Sequence, residues 1–181
     1  MKKVFAISGQ ARHGKDTTAA IFKSELERMG YKVLITHYGD LLKYICTKFF
    51  DWNGIKDARG RTILQKVGTE RVRAAKPNFW VDFIVDILTI FDGEWDYVFI
   101  PDARFPNEVD MLAEAGFDVI HIRVERPHFD NGLTPEQLSH PSETALYSTI
   151  PDVVITNDGS VSDLKGKIDK WIEENIANGK T

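Results

Sequence analysis

A run of residues between Gly9 and Thr17 has the types and the spacing needed to bind a phosphate chain. Its sequence, GQARHGKDT, fits the pattern G-x-x-x-x-G-K and directly follows the apolar segment Lys3–Ser8. In such a loop, glycines let successive backbone N–H groups point at phosphate oxygens, and the following helix adds positive potential at its N-terminus. A lysine in the position of Lys15 reaches the β- and γ-phosphates and follows the charge during phosphoryl transfer. We therefore predict an ATP site with Lys15 as a catalytic residue, formed by Gly9, Ala11, Arg12, His13, Gly14, Lys15, Asp16, Thr17 and Thr18. The alternative, an ordinary glycine turn before a surface helix, is disfavoured by this strand–turn–helix context.

Asp16 stands where this pattern usually has a Ser or Thr whose hydroxyl binds Mg²⁺. A carboxylate beside a triphosphate is repelled unless a cation lies between them. We therefore expect Asp16 to join a Mg²⁺ shell, directly or through water, with the hydroxyl of Thr17 nearby. Asp102 follows an apolar strand at its carboxyl end, where ligands of open parallel sheets gather, so it is the second predicted metal residue. The alternative for Asp102 is a turn residue after Pro101.

Cationic side chains elsewhere in the chain suit a second, anionic ligand. The segment 56–76 holds seven Lys and Arg against two acids, whereas the whole chain has a net charge of −4. Arg104 suits a bidentate grip on phosphate, and Arg126 can stabilise the transferring phosphoryl group, so both are predicted to be catalytic. We expect Gln65 and Arg71 to position the acceptor, although several cations of the segment belong to a solvated helical face. The full predicted acceptor set is Asp40, Lys43, Arg61, Gln65, Thr69, Arg71, Trp80, Asp102, Arg104, Glu108 and Glu143.

The segment Glu125–Ser142 contains three prolines and few apolar residues. We expect it to form a lid that excludes water, since an open site would hydrolyse ATP wastefully. Glu143, directly after it, is expected either to contact a sugar hydroxyl or to order the lid. Asn157 and Asp158 follow the last predicted strand and are expected to frame the adenine of ATP.

Hydrophobic patterning supplies the elements that must position these side chains. The predicted strands are Lys3–Ser8, Lys32–Thr36, Asp96–Pro101, Asp118–Val124 and Asp152–Thr156. Predicted helices begin near Lys15 and after Asn78, and cover Leu41–Phe50, Asn107–Ala115 and Ser162–Asn178, whereas Trp52–Pro77 is expected to mix turns with a short helix. Strands that alternate with helices imply parallel pairing by right-handed crossovers, hence a three-layer α/β fold. We read residues 1–181 as one domain, with a monophosphate-binding region at 40–80 and a lid at 125–142.

Composition limits the class of protein. In 181 residues, 43% apolar and 28% charged side chains are typical of a globular domain and exclude a disordered or low-complexity chain. The net charge argues against a dedicated nucleic-acid or membrane-surface binder. The longest apolar stretch, near Val81–Phe91, is interrupted by two aspartates, so we expect no membrane span. Cys46, the one cysteine, is expected in a helix core, and the cytoplasm is the expected compartment.

These segments together resemble the deoxynucleoside monophosphate kinases of bacteriophage type, within the P-loop nucleoside monophosphate kinase fold. The resemblance rests on the GKDT ending of the loop and on three further motifs in the family's order, namely ILQKVGTERVR (Ile63–Arg73), DARFPNE (Asp102–Glu108) and DVVITNDGS (Asp152–Ser160). It implies ATP-dependent, Mg²⁺-assisted phosphorylation of a deoxynucleoside monophosphate, on a five-stranded sheet ordered 2-3-1-4-5. It also implies that Lys15, Arg104 and Arg126 handle the phosphoryl group and that Leu64–Arg73 belongs to the monophosphate site.

The chain departs from many such kinases in its lid. Pro127–Pro141 offers only His128 and His140 as potential cations, so catalytic charge would come from Arg123, Arg126 and the Arg59–Arg73 region. Two other functions stay open from the sequence. One is a kinase of another small phosphorylated acceptor such as phosphomevalonate, because the animal-type enzyme shares a GKD ending; the other is an ATP-binding regulator without a second substrate. A polynucleotide 5′-kinase is disfavoured by the net charge, the expected partner is a small-molecule nucleotide, and a homodimer is left open.

Overall fold

A computed structural model of the chain describes residues 2–177. Its five strands are β1 (Lys3–Ser8), β2 (Val33–Ile35), β3 (Tyr97–Ile100), β4 (Asp118–Glu125) and β5 (Val153–Thr156). All pairs are parallel, in the order β2-β3-β1-β4-β5. The predicted fold class and the strand order implied by the resemblance are confirmed. Because β1 is central, the loop that follows it lies in the middle of the sheet's carboxyl edge.

Eight α-helices connect and cover the strands in the described part of the chain, with 3₁₀ turns at Asp92–Glu94 and Ala145–Ser148 and a π-helical end at Glu173–Ala177. They are α1 (Lys15–Arg28), α2 (Tyr38–Phe49), α3 (Ala58–Gln65, continued as a π-helix over Lys66–Arg73), α4 (Phe79–Ile90), α5 (Asn107–Glu114), α6 (Pro135–Leu138), α7 (Pro141–Thr144) and α8 (Val161–Ile172). The predicted closing helix ends at Asn178, which lies outside the described residues.

The residues of β1 are buried on both faces of the sheet. Phe5 and Ile7 point to one side, where they join a core formed with α1 and α8. Val4 and Ala6 point to the other side, into a core formed with α4 and α5. Alternate residues of a buried parallel strand therefore supply two separate cores, which is what makes three layers. No described helix is long and apolar enough to cross a membrane.

The region after α2 is more helical than the sequence predicts. Its glycines indicate turns by composition, but here they allow close packing inside a helix. A Cβ atom at Gly60 would lie 2.0 Å from the carbonyl oxygen of Ile55, and one at Gly68 would lie 2.7 Å from Cδ2 of Leu42. Asp57 caps the helix by accepting from the N–H of Gly60 at 2.7 Å. The predicted mixture of turns with a short helix over Trp52–Pro77 is therefore wrong for residues 58–73.

Cys46 is completely buried beside Trp52 and Val67, so its predicted place in the helix core is confirmed. Helix α2 itself starts at Tyr38, three residues earlier than predicted. The reason is a cap from a distant residue: the Asp102 carboxylate accepts from the N–H groups of Tyr38 and Gly39, both at 2.9 Å. A cap supplied by another strand leaves no local signal in the sequence.

Candidate active site

A cavity of about 460 Å³ opens at the carboxyl edge of the sheet, within the range of small-molecule sites. The loop after β1, the turn after β2 and the turn after β3 meet there, and α3 forms the opposite wall. Thirteen of the predicted site residues line it, namely Ala11, Arg12, Lys15, Asp16, Lys43, Arg61, Gln65, Thr69, Trp80, Asp102, Arg104, Glu108 and Glu143. One cavity thus contains both the phosphate loop and most of the predicted acceptor set.

The loop after β1 has a backbone that requires glycine at both ends. Gly9 has a φ of 142°, and a Cβ there would lie 2.3 Å from the carbonyl oxygen of Val124. Gly14 has a φ of 96°, and a Cβ there would lie 2.6 Å from Nδ2 of Asn157. Lys15 Nζ donates to the carbonyl oxygens of Gly9 (2.8 Å) and Gln10 (2.9 Å). The loop therefore closes around its own lysine.

The ammonium group of Lys15 lies in a strongly desolvated position, with the residue only 8% exposed. Burial, and then the nearby Arg104 guanidinium, lowers the pKa of Lys15 to about 8. A polyphosphate anion placed beside it would favour the charged form again. A bound polyphosphate therefore keeps Lys15 charged when the pH rises past 8.

Asp16, in the first turn of α1, contacts a histidine outside the predicted site. Nε2 of His37 lies 3.0 Å from Asp16 Oδ1, and Nδ1 lies 3.2 Å from Asp40 Oδ2. Because ionised carboxylates only accept hydrogen bonds, each ring nitrogen donates to its carboxylate when it carries a proton, and the protonated ring makes both bonds. The hydrogen bond to Asp16 accordingly raises the pKa of His37, and the same bond lowers the pKa of Asp16.

A buried ion pair forms the wall on the acceptor side. Arg73 Nη2 lies 2.5 Å from Oε1 of Glu108, whose side chain is 3% exposed. Arg73 also stacks on the ring of Phe105 at 3.9 Å. The other oxygen of Glu108 accepts from the N–H groups of Arg104 (2.5 Å) and Phe105 (3.1 Å). Burial nevertheless raises the pKa of Glu108 to about 7.

Glu143, at the end of the lid segment, connects the two phosphate-handling elements. Its carboxylate pairs with Arg104 and accepts from the N–H of Ala11 at 3.3 Å. Arg104 also donates to the carbonyl oxygen of Ser142 at 2.7 Å. A lid carboxylate therefore contacts an arginine and a loop amide that we expect to meet phosphate.

The remaining predicted residues lie outside the cavity lining. Arg126 stacks its guanidinium on Phe129 at 3.9 Å, and its N–H donates to Nδ1 of the buried His13. Arg71 lies over the ring of Phe50, and Asp40 binds Lys43 and His37.

The remaining loop and β5-end residues also lie away from the cavity. Asn157 Nδ2 donates to the carbonyl oxygen of His13 at 3.0 Å, whereas Asp158 pairs with Lys167 at 2.5 Å. Thr17 is exposed, and Thr18 is buried with no partner for Oγ1 among the described residues.

Eleven more residues line the cavity, namely His37, Tyr38, Gly39, Leu42, Lys56, Leu64, Gly68, Arg73, Pro101, Phe105 and Ser142. Of these, Leu64, Gly68 and Arg73 belong to the segment Leu64–Arg73 that the resemblance assigns to the monophosphate site, and the others are not among the predicted site residues. His37 could have been found by the rule that selected Asp102, because each follows a strand at the same edge of the sheet. Arg73 belongs to the cationic segment, but nothing in its spacing distinguishes it from Arg71.

Comparisons with known proteins agree with this geometry. Residues 40–168 match a family described as deoxynucleotide monophosphate kinase. The deoxynucleotide monophosphate kinase of Enterobacteria phage T4 is 36% identical over 119 residues, which are 64% of this chain and 46% of the relative. That of Escherichia phage RB69 is 31% identical over 121 residues, which are 65% of this chain and 47% of the relative. The chain therefore spans about half the length of these two relatives.

Two further groups of proteins are similar over most of the chain. An uncharacterized protein, ORF77 of Ictalurid herpesvirus 1 (strain Auburn), is 32% identical over 170 residues, covering 92% of this chain and 69% of its own length. Among solved structures, Mycobacterium tuberculosis APS kinase CysC in complex with AMPPNP and APS has a TM-score of 0.54 at 15% identity, covering 95% of this chain and 98% of that one. An unliganded sugar kinase from Janibacter sp. HTCC2649 has a TM-score of 0.54 at 16% identity, covering 100% and 99%. At these identities the structural likeness concerns the P-loop kinase fold alone.

Proposed function

We propose that this chain, which belongs to the deoxynucleotide monophosphate kinase family, transfers the γ-phosphoryl group of ATP to the phosphate of a deoxynucleoside monophosphate. The observation that carries the proposal is the shared cavity. Lys15 and the phosphate loop lie on one side of it, and five further cations, Lys43, Lys56, Arg61, Arg73 and Arg104, surround the rest. An ATP-binding regulator without a second substrate has no use for that second group of charges.

The reaction needs positioning more than it needs a base. An oxygen of the acceptor phosphate attacks the γ-phosphorus, the bond to the β,γ-bridging oxygen breaks, and ADP leaves with that electron pair. Because the attacking oxygen is already anionic, no general base is required, and orientation with charge stabilisation supplies the rate. Lys15 would neutralise the β- and γ-phosphates, and Arg104 would hold the group in transfer.

The acceptor would lie between α2, α3 and α4. Leu42, Leu64 and Trp80 supply apolar walls for a base, and the indole of Trp80 is fixed by a hydrogen bond from Nε1 to the carbonyl oxygen of Gly68 at 3.2 Å. Gln65 and Thr69 line the same region and offer the hydrogen-bonding groups that a base edge needs. Glu108 would act by holding Arg73 and the backbone of Arg104 in place.

Three predicted site residues that do not line the cavity have other roles in this proposal, namely Arg126, Asn157 and Asp158. Arg126 would reach the transferring group only after the lid segment 125–142 moves, because its guanidinium stacks on Phe129. Asn157 would support the phosphate loop through the carbonyl oxygen of His13. Asp158 would contact adenine only after releasing Lys167.

The residues present fit a nucleotide-bound Mg²⁺ ion. Mg²⁺ is usually bound through one or two carboxylates together with substrate phosphates and water, so a ready group of three protein ligands, which residues 2–177 do not hold, is not needed. Asp16 offers an exposed carboxylate beside the loop, and Asp102 lines the same cavity. We propose that these two aspartates, with Thr17, hold the ion directly or through water. When bound, Mg²⁺ would neutralise charge on the phosphate oxygens.

The test is a coupled assay of ADP release with ATP, Mg²⁺ and a panel of acceptors. We expect acceptor-dependent release with one or more deoxynucleoside monophosphates, and release reduced about 10²- to 10³-fold in Lys15→Met, which removes a charged donor from the phosphate site. Ribonucleoside monophosphates and phosphomevalonate complete the panel. Turnover of phosphomevalonate alone, or ATP binding with no acceptor-dependent release, would contradict the proposal.

Three further expectations belong to this proposal. A reducing cytoplasm is the proposed compartment, supported by the single buried thiol of Cys46. The net charge of −4 supports a small nucleotide, not a nucleic acid, as the partner. Sedimentation of the purified chain would decide whether it forms a homodimer.

A further inference from the structure

We propose that His37 is a positioning residue that holds the Asp16 carboxylate in the orientation used for the nucleotide-bound cation. This inference rests on the proposed function, because it concerns the same site. His37 lies in the turn between β2 and α2, with an extended backbone (φ −134°, ψ 139°), directly before the first residue of α2. It lines the cavity but belongs to no part of the phosphate loop.

The Asp16 side chain is not fixed by packing, because it is 81% exposed, whereas that of His37 is 24% exposed. An exposed carboxylate at a helix start samples several rotamers, and ordering it for a ligand costs free energy. The 3.0 Å contact between His37 Nε2 and Asp16 Oδ1 selects one of them. With Oδ1 bonded to the imidazole, Oδ2 is the oxygen offered to a metal ion or its water.

His37 is held in turn from the side opposite Asp16. Its Nδ1 lies 3.2 Å from Oδ2 of Asp40, and Oδ1 of Asp40 accepts from Lys43 Nζ at 2.7 Å. A ring bonded at both nitrogens has its plane and its χ angles determined. Residues of α2, which lies outside the phosphate loop, therefore orient the ring for its contact with Asp16.

The same turn also receives the second proposed metal residue. Asp102 accepts from the N–H groups of Tyr38 and Gly39, the two residues that follow His37. A Cβ at Gly39 would lie 3.0 Å from Oδ2 of Asp102, so a larger residue would push this carboxylate away. The turn after β2 thus contacts both carboxylates, Asp16 through the His37 side chain and Asp102 through the backbone.

Two substitutions separate the two contacts of the ring. In His37→Asn the amide nitrogen takes the place of Nδ1, so the contact with Asp40 is kept and that with Asp16 is lost. In His37→Gln the amide reaches the place of Nε2, so the contact with Asp16 is kept and that with Asp40 is lost. Each of the two variants removes the imidazole ring, so each is the control for the other. Thermal unfolding checks that both variants are folded.

The readout is equilibrium binding of ATP by calorimetry, with and without saturating Mg²⁺. The ratio of the two dissociation constants measures how strongly Mg²⁺ and ATP bind together, and the Mg²⁺-free value normalises each variant. Loss of a group that orients a metal ligand typically costs 10- to 100-fold in metal affinity. We expect His37→Asn to reduce the ratio about tenfold and His37→Gln to keep it within about twofold of the parent chain.

Asp16→Asn completes the design. If His37 acts through Asp16, the double variant His37→Asn/Asp16→Asn shows no further loss beyond Asp16→Asn alone. A reduced ratio in Asp16→Asn with a normal ratio in His37→Asn would overturn the positioning role while leaving the proposed function intact. Equal losses in His37→Asn and His37→Gln, additive losses in the double variant, or a normal ratio in Asp16→Asn would also overturn it. Failure of the parent chain to bind ATP with Mg²⁺ would instead contradict the proposed function.

Discussion

The two sides of the cavity are built in different ways. The phosphate loop consists of consecutive residues, and its shape comes from backbone: Lys15 binds the carbonyl oxygens of Gly9 and Gln10, its own neighbours. The acceptor wall consists of side chains from separate segments, and its central arginine, Arg73, is held by Glu108, 35 positions away in the chain. The loop keeps its backbone shape when most of the surrounding side chains are changed. The acceptor wall loses its shape when either member of a side-chain pair is replaced.

This difference predicts different failures. Damage to the loop should change ligand binding and turnover with little loss of stability, because the loop lies at the edge of the core. Damage to the wall should first change stability, because its charges are buried and paired. Three measurements test that contrast.

The largest expected effect is on stability, from Arg73→Met. The substitution leaves the Glu108 carboxyl, 3% exposed, without its cation. At a pH well above 7, the value to which burial already raises the pKa of Glu108, breaking the buried pair costs about 3–5 kcal/mol of the free energy of unfolding, and at lower pH the loss is smaller because the carboxyl takes up a proton. The double variant Arg73→Met/Glu108→Gln should recover part of that loss, since no buried charge remains. Urea unfolding measures both. A loss below about 1 kcal/mol in the single variant would show that the wall does not depend on this pair.

The next effect concerns protons at the loop. Since the pKa of Lys15 is lowered to about 8, the free loop loses this proton as pH rises through 8, and a bound triphosphate restores it. ATP binding should therefore take up a proton above pH 8, and affinity should fall by up to about tenfold per pH unit there. Calorimetry in two buffers of different ionisation enthalpy measures the uptake, and Lys15→Met should abolish it. Binding at pH 9 without proton uptake would contradict the perturbed lysine.

The smallest expected effect is on the KM for the acceptor, and it shows which residues of α3 belong to the acceptor wall. Gln65, at the end of the α-helical part of α3, lines the cavity, whereas Arg71, in the π-helical continuation, lies over the ring of Phe50. Loss of one hydrogen bond costs about 0.5–1.5 kcal/mol, so Gln65→Ala should raise the KM for the acceptor about two- to tenfold. Arg71→Ala should change it less than about twofold. The reverse order in steady-state kinetics would show that the acceptor binds against the other face of this helix.

The sequence predicts the contiguous phosphate loop better than it predicts contacts between separate segments. Lys15 and the loop glycines are recognised because they are contiguous and directly follow a strand, and the three-layer class follows from alternating elements. The contact of His37 with Asp16 and the start of α2 are missed because the partners, Asp16 and Asp102, come from other elements. The direction of Arg126 is missed too, because the guanidinium stacks on Phe129, a contact that the sequence pattern does not indicate.

The length of α3 is missed for a related physical reason. Glycine is common in turns, yet Gly60 lies inside this helix where the carbonyl oxygen of Ile55 would be 2.0 Å from a Cβ, and Gly68 lies where the side chain of Leu42 would be 2.7 Å from one. Only the residues packed around a glycine in the fold show which of these two uses applies. The resemblance to a family adds what periodicity lacks, namely the order of the strands.

The amide of Asn157 gives the phosphate loop a dependence on the far end of the chain. It donates to the carbonyl oxygen of His13 across 144 positions, and its nitrogen lies where any side chain at Gly14 would have to be. A fragment that ended after β4 would contain all residues of the phosphate loop but would lack Asn157 and its hydrogen bond to the loop. The residues Gly9–Thr17 therefore do not shape the phosphate loop alone, because Asn157, directly after β5, also holds its backbone.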